Sequence, residues 1–331
     1  MEEEYHYLRR EKSDFVVEKA LNPLGGGERK LIYCYIYGIG KQYNVLSSYL
    51  KIYQEKIEIL ALVTTKPQEI TYLDGKKIIR PWDMEKDKVD YVIVAMKEYK
   101  EVLGLLRELG FSDKILRSDI FSIPNFVLED YLKVRKSRPS ILANTCIGGF
   151  VYNVLGLEIL SPTISMRCMD YIQFLKKYKF YLSQDIKVQE NDYLCDELYY
   201  GETFAPKGIS GDTVCWWFVH AKDGTTEAEK WNRRRKRINY ANIIALMIIR
   251  TDEEACEFDK LPIQKKLGFY HKDLRLESIL YTPEWNDVSL QYKYQYQYDK
   301  FVHQVYVKNM EGPGRVDWIK FLNGEKNFLR F

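Results

Sequence analysis

Two residues of this chain carry the side chains best suited to covalent chemistry, a thiol at Cys146 and an imidazole at His220. Cys146 lies in Asn144-Thr145-Cys146-Ile147-Gly148-Gly149, between a run that reads as a strand and one that reads as a helix. Two glycines there let backbone N–H groups gather around a phosphate or an oxyanion, and a thiol held at such a turn can serve as a nucleophile. A small buried thiol is the competing reading, since no histidine neighbours Cys146 in sequence. His220 closes a predicted strand, Val214 to Val219, just ahead of a helix, where α/β folds place catalytic side chains, so it is the preferred general base. A structural histidine is the alternative, because no partner carboxylate follows from the sequence.

Three further constellations suit anions or sugars. The helix read over Thr226 to Ile238 carries Arg233, Arg234, Arg235 and Arg237, while Ala228, Trp231 and Ile238 form its inward stripe. Guanidinium pairs at this spacing grip a diphosphate with forked hydrogen bonds, and a solvated helix face is the alternative. Gly38-Ile39-Gly40 follows a strand and opens a helix, so a phosphate of a cofactor or nucleotide could approach the helix N-terminus. The third glycine of the dinucleotide fingerprint is replaced near Asn44 or Val45, and no acid ends the second strand, so a purely structural turn competes. Tyr292, Tyr294, Tyr296 and Tyr298 alternate along one strand face, ready to stack on sugar or base rings or to pack. The chain has no D-x-D pair, H-E-x-x-H, G-x-S-x-G or P-loop motif, which removes support for the common metal-dependent glycosyltransferases, hydrolases and P-loop enzymes; no metal is predicted, and the cofactor is left open.

The elements that position these residues follow from periodicity. Leu31 to Tyr37, Ile57 to Val63, Tyr91 to Met96 and Lys114 to Leu116 read as strands, alternating with helices over Lys41 to Tyr53 and Glu98 to Leu109. This predicts a Rossmann-like parallel-sheet domain over 30–125, preceded by a charged arm and linker over 1–29 and followed by a connector over 126–139. A second α/β domain is read over 140–331. It contains strands over Ser140 to Ala143 and Ile243 to Ile249, helices over Phe150 to Leu155 and Asp170 to Leu182, and the arginine helix with a Thr226/Glu229 capping box. An aromatic tail ends in a helix stopped near Gly324.

Composition narrows the class. With 331 residues, 46% hydrophobic and 29% charged, the chain is globular and long enough for two cores. A formal charge of +3 does not suggest nucleic acid binding. No run approaches a bilayer span, and Met1 to Lys19 is charged throughout, so a cytoplasmic protein is expected, with peripheral membrane contact through the arginine helix as an option. The six cysteines contain no C-x-x-C pair, which argues against a zinc knuckle or disulfide framework.

The ordered motifs Asn144-Thr145-Cys146-x-Gly148-Gly149, Leu155-Gly156-Leu157, Ser161-Pro162-Thr163, Pro206-x-Gly208, His220 and Glu227-Ala228-x-Lys230-Trp231-x-x-Arg234-x-x-Arg237-Ile238-Asn239 resemble a bacterial family of exopolysaccharide biosynthesis proteins, domain of unknown function nineteen-nineteen. The likeness spans about residues 140 to 275. It implies an α/β fold, a setting in capsule or exopolysaccharide assembly, and partners among polysaccharide enzymes. It nominates Cys146, Gly148, Gly149, Ser161, Pro162, His220, Trp231, Arg234, Arg237 and Asn239 as site residues. Trp216-Trp217 departs from the shorter aliphatic run usual there. The first domain separately resembles the N-terminal Rossmann-like domain of sugar acyltransferases, which binds nucleotide sugar.

The resulting expectation is a transferase acting on a nucleotide-activated sugar or phosphorylated glycan. His220 and Cys146 would be catalytic, Asn144, Gly148, Gly149, Ser161, Pro162, Trp231, Arg234, Arg237 and Asn239 would bind substrate, and Gly38 and Gly40 would bind a cofactor. The alternative is a non-catalytic sugar or nucleotide binding protein that regulates or scaffolds polysaccharide enzymes.

Overall fold

The computed structural model describes residues 31–66, 71–164, 166–196, 201–211, 213–221, 223–282 and 315–329. The arm over 1–29 and the tyrosine alternation over 292–298 lie outside them. The chain divides into two compact units, Met1–Phe126 and Val127–Phe331.

In the first unit, β1 (Ile32–Tyr37), β2 (Ile57–Val63), β3 (Tyr72–Leu73), β4 (Lys76–Ile79), β5 (Tyr91–Val94) and β6 (Ile115–Arg117) form one sheet, in the order β3-β4-β2-β1-β5-β6. All neighbours are parallel except β3 and β4. Helix α1 (Lys41–Leu50) links β1 to β2, and α2 (Lys100–Glu108) links β5 to β6. The apolar runs are buried as expected of a sheet covered by crossover helices: Tyr35, Val63, Val92, Val94, Val102 and Leu106 belong to one core. Because β1 lies between β2 and β5, strand order reverses at its carboxyl end, which is occupied by Gly38. Gly38 has φ +105°, and a Cβ there would meet the Ala95 carbonyl oxygen and Met96 Cγ, each at 2.8 Å, so the close approach of β5 admits only glycine. Around Gly40 a Cβ would meet nothing within 4 Å.

The second unit opens with a helix, α3 (Leu128–Ser137), where the sequence suggested a connector. Its amphipathic signal is weak, but Leu128, Tyr131 and Val134 are buried and Asn323 Nδ2 donates to the Asp130 carbonyl at 3.0 Å. The helix ends at Arg138, which is left-handed at φ 47°, directly before Pro139. There follow β7 (Ser140–Ala143), α4 (Ile147–Val154), α5 (Tyr171–Lys176), α6 (Tyr178–Ser183), β8 (Ile186–Asp196), β9 (Gly201–Ser210), β10 (Val214–Trp217), α7 (Gly224–Arg235), β11 (Ile243–Ile248), α8 (Asp252–Asp259), β12 (Lys265–Tyr270), β13 (Ile279–Tyr281) and α9 (Trp318–Asn323). A four-stranded parallel sheet, β13-β12-β11-β7, is joined by a three-stranded antiparallel sheet, β10-β9-β8.

Local departures from the sequence reading have identifiable causes. The helix expected over Asp170 to Leu182 is two, broken at Lys177, whose φ −134° and ψ 31° lie outside the helical region. Helix α4 begins at Ile147 rather than Phe150, which places both glycines of the Cys146 loop inside the helix. The arginine helix starts at Gly224, and its cap is Asp223, which accepts from the Thr226 amide at 2.8 Å, in place of the Thr226/Glu229 box. A single core joins the sheets and helices: Leu142, Met166, Tyr171, Phe174, Trp216, Trp231, Met247, Phe258 and Tyr270 are packed together. The terminal helix ends at Gly324, which is left-handed as a C-cap requires.

Candidate functional site

The site is built on β7, an edge strand of the parallel sheet. Its run Ser140-Ile141-Leu142-Ala143 is fully buried, so the outward N–H groups of an edge strand need partners from elsewhere. Side chains supply them. Tyr152 Oη accepts from the Ile141 amide at 2.9 Å, and Thr163 Oγ1 accepts from the Ala143 amide at 3.0 Å. Ser161 Oγ lies 3.1 Å from Thr163 Oγ1 and accepts from the Thr163 amide, so Ser161-Pro162-Thr163 seals the strand edge. Ser161 is completely buried, and its hydroxyl therefore serves the fold rather than a substrate.

Beyond β7, Asn144 exchanges two hydrogen bonds with Ile248 at the end of β11: Nδ2 donates to the carbonyl at 2.9 Å and Oδ1 accepts from the amide at 3.0 Å. Its amide group is engaged in continuing the ladder. Thr145 Oγ1 accepts from the Ile147 amide at 3.2 Å, which turns the chain so that Cys146 caps α4. Gly148 faces β7: a Cβ would meet Ala143 Cβ at 3.3 Å and Ile141 Cγ2 at 3.4 Å. A Cβ on Gly149 would meet Ile164 Cγ2 at 3.1 Å. These glycines let the helix approach its strand and segment 161–164 closely, a packing role instead of the expected phosphate cradle.

His220 arrives from the other sheet. Phe218 donates its amide to the Pro206 carbonyl at 2.9 Å, and the Ala221 amide donates to the Phe218 carbonyl at 2.9 Å, a turn that lifts His220 off the end of β10. Segment Arg167-Cys168 ties the two halves together. Arg167 and Trp217 exchange backbone hydrogen bonds of 2.8 and 2.7 Å, while the Cys168 amide donates to the Asn144 carbonyl at 3.2 Å. This strap brings the Cys146 loop and the His220 turn to one place, and Cys146 Sγ lies 3.0 Å from His220 Nε2. Cys146 is half-buried and His220 reaches solvent, so the pair is accessible.

Charges of both signs act on the pair. Arg167 is only 3% exposed. Partial withdrawal of His220 from water, and then the Arg167 charge, lower its pKa below the ordinary 6.5; Glu227, one turn into α7, opposes them. The imidazole is therefore neutral and able to accept a proton at physiological pH. Glu227 is itself buried and receives a hydrogen bond from Lys230. Neither Arg167 nor Glu227 was singled out from sequence, since a lone arginine in a short segment carries no local signal; Glu227 stood only inside a longer motif.

The other nominated residues do not join the pair. Trp231 is fully buried with its ring 5.1 Å from that of Trp216, in agreement with the inward stripe and against a substrate contact. Arg237 pairs with Glu158 at 3.4 Å, and Glu158 also pairs with Arg138 at 3.3 Å. Asn239 Nδ2 donates to the Ser137 and Arg138 carbonyls at 3.0 and 3.1 Å, and its amide donates to Ser140 Oγ. These contacts lie at the amino end of β7 and Cys146 lies past its carboxyl end, about 10 Å or more apart at strand rise. Arg234 is partly buried and feels Glu227, which also acts on His220, together with Arg233 and Arg237. Among the described residues no group of three or more His, Cys, Asp or Glu side chains is arranged to hold a metal ion, and no helix is long and apolar enough to cross a membrane.

No curated protein matches the chain. Among solved structures, a meso-dapdh mutant with DAP from Clostridium tetani E88 matches over 68% of this chain and 73% of that chain, at 12% identity and a TM-score of 0.23. Residues 30–116, which hold the six-stranded sheet, match the family described as C2185-like, N-terminal. Residues 118–322, from just before α3 almost to the end of α9 and including the Cys146–His220 pair, match the model described as domain of unknown function DUF1919, and the chain belongs to that family.

Proposed function

We propose that the second unit is a transferase that holds the group in transit on Cys146, with His220 as the base, and that it modifies an activated sugar or phosphorylated glycan during assembly of a bacterial surface polysaccharide. The observation that carries this reading is the 3.0 Å approach of Cys146 Sγ to His220 Nε2 at the carboxyl edge of a parallel sheet. A thiol beside a neutral imidazole is an activated nucleophile, and this edge is where α/β folds bind their ligands. The polysaccharide setting comes from the motif resemblance. For the first unit taken by itself, nucleotide binding is supported by Gly38 at the reversal of strand order and by the open space around Gly40.

Two measurements test the proposal. The rate of Cys146 carbamidomethylation by iodoacetamide, read by peptide mass spectrometry, should exceed that of the exposed Cys256 and fall in His220→Ala. A thermal-shift screen against nucleotide sugars and sugar phosphates should raise Tm with one class. Equal labelling of Cys146 and Cys256 would overturn the catalytic reading, and a ligand-dependent shift would then leave a binding protein.

A further inference from the structure

We propose that the group carried by Cys146 is an acyl group, taken from an activated ester or thioester and delivered to a sugar hydroxyl, because the Cys146–His220 pair is placed at the N-terminus of α4, beside the strap that carries the buried Arg167. This rests on the covalent reading above and names its substrate class.

The argument is one of charge. Cys146 caps α4, so the positive end of the helix dipole lies at the thiol. Arg167, 3% exposed, lies close enough to His220 to depress its basicity and outweighs the opposing Glu227. Glycosyl transfer passes through an oxocarbenium-like state that gathers positive charge, which these surroundings disfavour. Acyl transfer gathers negative charge on one carbonyl oxygen, which they stabilise. Phosphoryl transfer would spread charge over three oxygens and need more donors. Here the Ile147 amide is already engaged by Thr145 Oγ1, which leaves few N–H groups at the turn.

The steps balance without an oxidant or reductant. His220 Nε2 takes the Cys146 proton as sulfur bonds to the donor's carbonyl carbon; the carbon–leaving-group bond then breaks and the imidazolium returns the proton to the leaving group. The thioester is then attacked by an acceptor hydroxyl, whose proton passes to His220. The carbon–sulfur bond breaks, and the thiolate recovers that proton.

Acetyl phosphate distinguishes the possibilities, since it offers an acetyl and a phosphoryl group in one molecule. With the full chain, we expect one acetyl group on the Cys146 peptide, formed faster than on Cys256. His220→Ala should slow it by at least about 100-fold, the usual contribution of a general base. Cys146→Ser should carry no thioester, and added hydroxylamine should discharge the wild-type adduct. A phosphoryl group on Cys146, or acetylation no faster than at Cys256 while iodoacetamide still labels Cys146 selectively, would overturn the acyl assignment and leave the covalent reading standing. Loss of selective labelling by both reagents would overturn both.

Discussion

The side-chain amide of Asn144 is paired with the backbone of Ile248 in both directions, at 2.9 and 3.0 Å, and so pins the end of β7 to the end of β11. The Cys146 loop starts from this tether, and its geometry depends on it. Replacing Asn144 with Ala leaves the Ile248 N–H and carbonyl buried without partners. A loss of about 2 to 4 kcal/mol in urea unfolding is expected, with slower alkylation of Cys146 as the loop relaxes. Unchanged stability would mean that the tether is dispensable.

The imidazole makes a second prediction, in pH. His220 is faced by Cys146, Arg167 and Glu227, and its folded pKa lies below 6.5. As pH falls through about 6.5, the unfolded chain takes up a proton that the folded chain refuses, so stability declines until the folded pKa is reached and is then constant. His271 is lowered in the same direction and contributes likewise. The difference between wild type and His220→Gln isolates one group: the wild type should lose stability relative to the variant just below pH 6.5, and parallel curves would contradict the assignment.

Trp231 separates packing from binding. It is wholly buried against Trp216. Trp231→Ala should cost about 3 to 5 kcal/mol through the cavity it opens, read by chemical denaturation. A variant of native stability that had lost ligand affinity would return this residue to the site.

Arg237 should behave in the opposite way. It is exposed and its pairing with Glu158 spans 3.4 Å. Arg237→Ala is expected to change stability by no more than about 0.5 kcal/mol and to leave the Cys146 alkylation rate unaltered. A drop in that rate would show that the two ends of β7 communicate.

The two glycines of the first unit should respond unequally. Gly38→Ala forces a Cβ to 2.8 Å from the Ala95 oxygen at φ +105°, and a loss of about 2 kcal/mol or more in thermal or urea unfolding is expected. Gly40→Ala meets open space and should leave stability within about 1 kcal/mol. If a nucleotide binds there, Gly40→Ala should weaken it without unfolding the unit.

Residue types and their immediate neighbours determined the strands and helices of both units. Runs such as Tyr35-Ile36-Tyr37 and Leu142-Ala143 exclude water wherever they are placed, Gly38 forces a turn, and Gly324 ends a helix, because each depends on solvent exclusion or local dihedral freedom. Helix α3 escaped such a reading since its charged face outweighs three buried residues and tertiary packing decides it. Cys146 and His220 were each visible as chemistry, but their meeting across 74 positions was not. It rests on Arg167 and Cys168 bonding Trp217 on one side and Asn144 on the other, a pairing with no period and no spacing rule. The same holds for the separation of Arg237 and Asn239 from the thiol: the family resemblance nominated all three as site residues, and only the direction of β7 placed Arg237 and Asn239 at its opposite end.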